Sequence, residues 1–232
     1  MLIHIPHASR KLNGCVELIN EKENLDFLTD DFVDELFDGR TDLTIRFSWS
    51  RFVCDVERFR ENDPMEKKGQ GVIYVRDVFG NPIKRNISDE EVYRLYDEHH
   101  KSLTREVNFG TANFDNVIIV DAHSYEPLND DDPDICLGSD EFHTPEEMVN
   151  QLQEHFIENG FTVGINHPFS GTLVPKLHYR KSRNVLSIMI EVNKKTCRKD
   201  FLKMKHAIHK CLDIIDTYES CSPRNVPGDQ SW

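Results

Sequence analysis

An α/β fold, with a mixed, mostly parallel central sheet and helices on both faces, is predicted by two observations. Short apolar runs of strand length alternate along the chain with segments of helical periodicity, a pattern that favours a parallel or mixed sheet. Three of those runs also end in residues able to bind metal or move protons. Leu2–Ile5 leads into Pro6-His7, Val117–Val120 into Asp121-Ala122-His123, and Ser187–Ile190 into Glu191. Open α/β sheets carry their sites at the carboxyl ends of such strands.

The elements follow in order. After the first strand, Leu25, Phe27, Leu28, Phe32, Val33, Leu36 and Phe37 recur near helical spacing, predicting one helix over Glu23–Asp38 that stops near Gly39. Leu43–Phe47 and Phe52–Val56 read as strands. The stretch 60–84 is rich in Gly, Pro and charge, with a hairpin expected at Val72–Val75 after Gly69-Gln70-Gly71, and is predicted to be an ordered active-site loop or flap. Ser88 and Glu91 form a capping box opening a helix to about Val107. After the strand at 117–120, the acidic Asn129–Asp134 stretch is a loop. Thr144 is expected to cap the next helix, with Pro145 at its first position and Gly160 at its end. Phe161–Ile165 is a strand, Pro168–Gly171 a turn, Val185–Val192 the last buried strand and Arg198–Tyr218 a closing helix.

At 232 residues the chain suffices for one large domain. No linker divides residues 1–221, while 222–232, with Pro223, Pro227 and Gly228, reads as a loose tail. A net charge of -13 argues against nucleic acid as a partner, because neutralising phosphates takes clustered Lys and Arg. No apolar stretch approaches the roughly 20 residues that span a bilayer. Six scattered cysteines without a Cys-x-x-Cys pair or a leader read as reduced thiols, so a cytoplasmic location is expected.

His7 and His123 are the first candidate metal ligands. A lone histidine at a strand end is ordinarily just hydrogen-bonded, but Pro-His at one strand end and Asp-x-His-Ser at another favour a metal pair. Asp121 can orient an imidazole. For a third ligand the nearest acids are Asp30, Asp31 and Asp34, which periodicity does not separate. Glu191 interrupts an apolar strand, where a carboxylate is costly unless paired or working; as a general base it would take a proton from water on the metal. Arg51, Asp55 and Arg58 cluster in one short segment. Guanidinium forks clamp carboxylates, which suggests an anionic substrate, although pairing with Asp55 or Glu57 alone is as reasonable. His100, beside His99, faces either the site or solvent.

On these residues the sequence resembles the N-formylglutamate amidohydrolase family, related in fold to the zinc carboxypeptidases. The resemblance rests on Ile3-His4-Ile5-Pro6-His7, Thr29-Asp30 with Asp34-Glu35-Leu36-Phe37, Ser50-Arg51 through Asp55 and Arg58, Tyr96–His100 with Leu103, Asp121-Ala122-His123-Ser124, Pro168-Phe169-Ser170-Gly171 and Ile190-Glu191-Val192-Asn193. It implies a phosphorylase/hydrolase-like fold and one zinc ion held by His7, Asp30 and His123. Glu191 is then the base, Arg51 acts on the carbonyl, and Arg58, Asp55, His100 and Asn193 lie at the substrate. The implied reaction is hydrolysis of N-formyl-L-glutamate to formate and L-glutamate, late in histidine degradation. The chain departs from the family at Glu57, where many members carry Asn, and at Lys194, where Arg is usual. Another N-acyl amino acid or a small peptide is the alternative substrate, and a non-catalytic binder of an anionic metabolite the alternative class.

Overall fold

The computed structural model describes residues 1–40 and 42–219, and the predicted tail at 222–232 lies outside the described residues. The strands are β1 (Leu2–Ile5), β2 (Val16–Glu17), β3 (Leu43–Arg46), β4 (Lys84–Arg85), β5 (Val117–Tyr125), β6 (Ile135–Gly138), β7 (Val163–Ile165) and β8 (Val185–Asn193). The helices are α1 (Glu21–Leu28), α2 (Val33–Leu36), α3 (Asp89–Asn113), α4 (Glu146–Glu158), α5 (Lys194–Lys199) and α6 (Phe201–Asp216). Six strands form one sheet in the order β3-β1-β5-β8-β6-β7. The first four are parallel, β6 runs antiparallel to β8, and β7 is parallel to β6. The expected mixed, mostly parallel α/β sheet is therefore present.

Alternation along the central strands sorts the two faces. Ile3, Ile5, Ile118, Val120, Ala122, Ile188, Ile190 and Val192 join one core with Leu152 and Phe156 of α4 and Ile208 and Leu212 of α6. Leu2, Val117, Ile119 and Val185 join a second with Leu103 and Val107 of α3. On this second face the residues further along the strands turn polar: His4 on β1, Asp121 and His123 on β5, and Glu191 on β8. The face that holds α3 thus becomes a polar floor at its carboxyl edge. Gly110 lets α3 approach the sheet, since a Cβ there would meet Val117 Cγ2 at 2.5 Å. The helix opens on the predicted capping box, Ser88 accepting from Glu91 N and Glu91 accepting from Ser88 N, and runs past the expected end to Asn113.

Several expectations are corrected. The single helix over Glu23–Asp38 is two, α1 and α2, because Asp30 N turns away to donate to His7 O at 3.0 Å and Phe32 has φ 73°. Phe52–Val56 is a buried loop rather than a strand. Its carbonyls at Phe52 and Val53 accept from the Arg85 guanidinium, and Asp55 N donates to Val72 O, so no strand partner is needed. Near Val72–Val75 only isolated bridges form, Gln70 with Tyr74 and Arg76 with Pro82. Thr144 does not cap α4; its hydroxyl donates to Ser187 O, and Pro145 occupies the cap position. Ile135–Gly138, unassigned in sequence, adds β6, and the closing helix breaks at Asp200 into α5 and α6.

The 60–84 loop is ordered and tied down by Asp77, which is 2% exposed. Its carboxylate accepts from Phe79 N, Asn81 N, Asn81 Nδ2 and Asn24 Nδ2 at 2.8 to 3.0 Å. Asp77→Ala should cost about 2 kcal/mol, since it leaves several donors unmatched. Burial alone would raise the Asp77 pKa, but the bonds from Asn81 and Asn24 hold it below the ordinary value. The stabilisation is therefore full above the unfolded pKa, about 4, and is lost as pH falls through the lower folded value. The gap between urea melts of the two proteins should narrow from pH 7 to pH 3; a gap that stays constant would contradict this.

Candidate active site

Parallel register sets His4 beside Asp121 and His123 beside Glu191, and His7 lies two residues past β1. These side chains converge at the carboxyl edge of the sheet, and the His7 and His123 rings lie 5.3 Å apart. Each ring uses one nitrogen on a carboxylate: His7 Nε2 contacts Asp55 Oδ1 at 2.9 Å, and His123 Nδ1 contacts Asp30 Oδ2 at 2.8 Å. The other nitrogens, His7 Nδ1 and His123 Nε2, are buried without a hydrogen-bond partner among the described residues. Glu57 faces both, with Oε2 3.4 Å from His7 Nδ1 and Oε1 3.2 Å from His123 Nε2. One ligand atom from each of His7, Glu57 and His123 lies within 4.8 Å of the others.

The acids considered in sequence now separate. Asp30 is 4% exposed and holds His123 Nδ1, with His7 Nδ1 at 3.9 Å. Asp31 pairs with Arg10 and Asp34 with Arg46, both towards solvent. Asp121 accepts from His4 Nδ1 at 2.8 Å and from Leu173 N at 3.0 Å. His4 Nε2 meets His99 Nε2 at 2.9 Å, and burial pushes the His99 pKa down to about 2, so His99 is neutral. Both nitrogens of His4 are occupied.

Asp55 is the hub of the neighbouring cluster. Its Oδ2 accepts from Arg51 Nε and Nη2 at 3.1 and 2.8 Å and from Tyr74 OH at 2.8 Å, and its Oδ1 accepts from Glu57 N as well as His7. Burial opposes its ionisation, but the Arg51 charge holds its carboxyl well below the usual range. Arg58 Nε stands 3.4 Å from Asp55 Oδ2 in ionic contact and makes no hydrogen bond among the described residues. Glu191 Oε2 is likewise buried without a partner, and burial raises its pKa to about 8.

The two remaining predicted substrate residues are engaged elsewhere. His100 Nε2 donates to Val56 O at 2.8 Å and lines a 570 Å³ surface hollow along α3 with Asp97 and Lys101. Asn193 caps α5, accepting from Lys195 N and donating to Pro133 O. Lys194, 0% exposed, donates to the carbonyls of Asp26 and Phe27 and so anchors the end of α1. Sequence reasoning gave no role to Tyr74, His4 or His99. For His4 the available signal was its position two residues before Pro6 on the polar side of β1.

The site is short of positive charge. The carboxylates of Asp30, Asp55, Glu57 and Asp121 share the site with two guanidinium groups, Arg51 and Arg58. Burial disfavours a charged His123, yet the Glu57 and Asp121 carboxylates override it and hold the imidazole well above its ordinary range. Such a field recruits either a proton or a cation.

Residues 1–197 match the family model of N-formylglutamate amidohydrolase. The chain belongs to that family. Its fold is similar to the crystal structure of N-formylglutamate amidohydrolase from Ralstonia eutropha JMP134, with a TM-score of 0.72 at 18% identity over 94% of this chain and 92% of that one. It is also similar to a gene product of Agrobacterium tumefaciens, with a TM-score of 0.64 at 16% identity over 94% and 88% of the two chains. No curated protein matches the sequence. Family membership makes this an amidohydrolase-family chain with a small N-formyl amino acid as the implied substrate class. Among the described residues no helix is long and apolar enough to cross a membrane.

Proposed function

We propose that this chain is a zinc-dependent amidohydrolase that cleaves the amide of a small anionic N-acyl amino acid, with N-formyl-L-glutamate as the nominal substrate. One observation carries the reading: two buried imidazoles, each fixed by a carboxylate through one nitrogen, present their unpartnered nitrogens to a common carboxylate. A histidine held this way has its tautomer set for metal binding, and N and O donors suit zinc. His7 and His123, with one carboxylate, would hold the ion. When bound, a divalent cation supplies Lewis acidity, polarising the scissile carbonyl and acidifying water at the site.

The chain's own groups supply the remainder. Glu191 Oε2, free and buried beside His123, accepts the proton of the attacking water and returns it to the amine as the C–N bond breaks. One water is consumed, giving the acid and the free amino acid. Arg51, fixed through Nε and Nη2, presents a rigid positive charge to the developing oxyanion. Arg58, whose Nε is not spent on a hydrogen bond, takes the substrate carboxylate. The zinc-loaded protein should show its highest kcat/KM on N-formylglutamate in a panel with N-acetyl amino acids and dipeptides. Turnover of peptides alone would overturn the substrate, and binding without turnover would overturn the enzyme.

A further inference from the structure

We infer that Glu57, rather than Asp30, is the third protein ligand of the metal, so that this chain's departure from the family pattern is itself part of its metal site. The inference rests on the zinc reading above. It differs from the ligand set that the family resemblance implies.

The argument is one of unspent atoms. A metal needs one nitrogen from each imidazole, and among the described residues two in the cluster make no hydrogen bond, His7 Nδ1 and His123 Nε2. His123 has its Nδ1 committed to Asp30, which is where an orienting carboxylate belongs when Nε2 takes the ion. Were Asp30 the ligand beside His123 Nδ1, Nε2 would turn to Glu57 and Asp121, 3.2 and 3.3 Å away, while His7 Nδ1 stands 3.9 Å from Asp30 and only 3.4 Å from Glu57. Glu57 reaches both free nitrogens, one oxygen to each, at 3.4 and 3.2 Å. Distances between ligand atoms of about that size are what zinc bonds near 2.0–2.1 Å produce at tetrahedral angles.

The neighbourhood aims Glu57 at this spot. Its amide donates to Asp55 Oδ1, the same oxygen that fixes His7, and His100 holds the carbonyl of Val56 one residue before it. One carboxylate therefore sets both the His7 ring and the Glu57 backbone. The second acid–histidine group, His4, Glu57 and Asp121, does not compete, because both His4 nitrogens are already bonded. Ligation also removes a difficulty. A free Glu57 carboxylate beside Arg58 would repel an anionic substrate, whereas one coordinated to a dication is neutralised and leaves Arg58 to the substrate.

The test is metal affinity, measured by chelator competition on the demetallated protein with Zn²⁺ and by the visible spectrum with Co²⁺. Wild type should take up one equivalent. Glu57→Gln should weaken Zn²⁺ binding more than about 100-fold, and Asp30→Asn by about 10-fold, since orienting partners cost less than ligands. A loss in Asp30→Asn equal to or greater than that in Glu57→Gln would overturn the assignment while leaving the zinc reading intact. Failure of wild type to bind one equivalent would overturn the zinc reading itself. Glu57→Asp covers the case in which the Gln variant does not fold. It keeps the charge but withdraws the oxygens, so it should shift the Co²⁺ bands and weaken binding. Unchanged bands and affinity would reduce Glu57 to a distant charge and sink the inference.

Discussion

Glu191→Gln is expected to lower kcat by about 10³- to 10⁴-fold while the protein keeps its metal. The upper range for a positioned general base is about 10⁴, or roughly 5 kcal/mol of transition-state stabilisation at 1.36 kcal/mol per tenfold. Glutamine is nearly isosteric, and Glu191 Oε2 has no partner among the described residues to be lost, so the fold should tolerate the change. The amide cannot take a proton from water or return one to the departing amine. Burial that raises the carboxyl pKa to about 8 makes Glu191 a stronger base than an exposed glutamate. Because the free imidazole nitrogens face Glu57 and not Glu191, metal content should be unaltered. Steady-state kinetics with metal analysis of the same samples checks both halves. A fall of less than tenfold would remove Glu191 as the base, and a loss of zinc alongside activity would recast it as a ligand.

Glu191 was legible in the sequence because the period of a strand is two. Ile188, Ile190 and Val192 face the helices α4 and α6, so the carboxylate between them had to project from the opposite face, where His123 lies in register. His123, two residues after Asp121 on β5, was readable for the same reason, and His7 follows two residues past β1. What escaped were arrangements made by distant partners. Phe52–Val56 looks like a strand because its side chains are buried, yet its carbonyls are satisfied by Arg85, 32 residues beyond Val53. The break between α1 and α2 comes from Asp30 N reaching the carbonyl of His7, and no glycine or proline marks it. Glu57 beside Arg58 reads as a local ion pair in sequence. Only the three-dimensional placement turns it toward two histidines. Lys194 in place of the usual Arg looked like a change at the substrate, whereas its ammonium donates to the carbonyls of Asp26 and Phe27 at the end of α1.

Asp55→Ala should be the most destabilising single change at the site, at about 3–5 kcal/mol, the cost of removing one partner from a buried ion pair. The residue is 0% exposed, and it satisfies Arg51, Tyr74, His7 and the Glu57 amide at once. Alanine fills none of these roles, so Arg51 is left charged in a region where only 12% of its side chain meets solvent. Urea denaturation should show the midpoint fall with little change in slope. Asp55→Asn keeps the shape and one acceptor oxygen but not the charge, and should recover part of the loss. Metal affinity should fall by about 10- to 100-fold in either variant, as His7 loses the carboxylate that sets its tautomer. A cost below about 1 kcal/mol would mean that Arg51 and Arg58 escape to water, which is how surface pairs behave. The substrate clamp would then be a mobile pair of charges, and the preorganisation assigned to Arg51 at the oxyanion would fail with it.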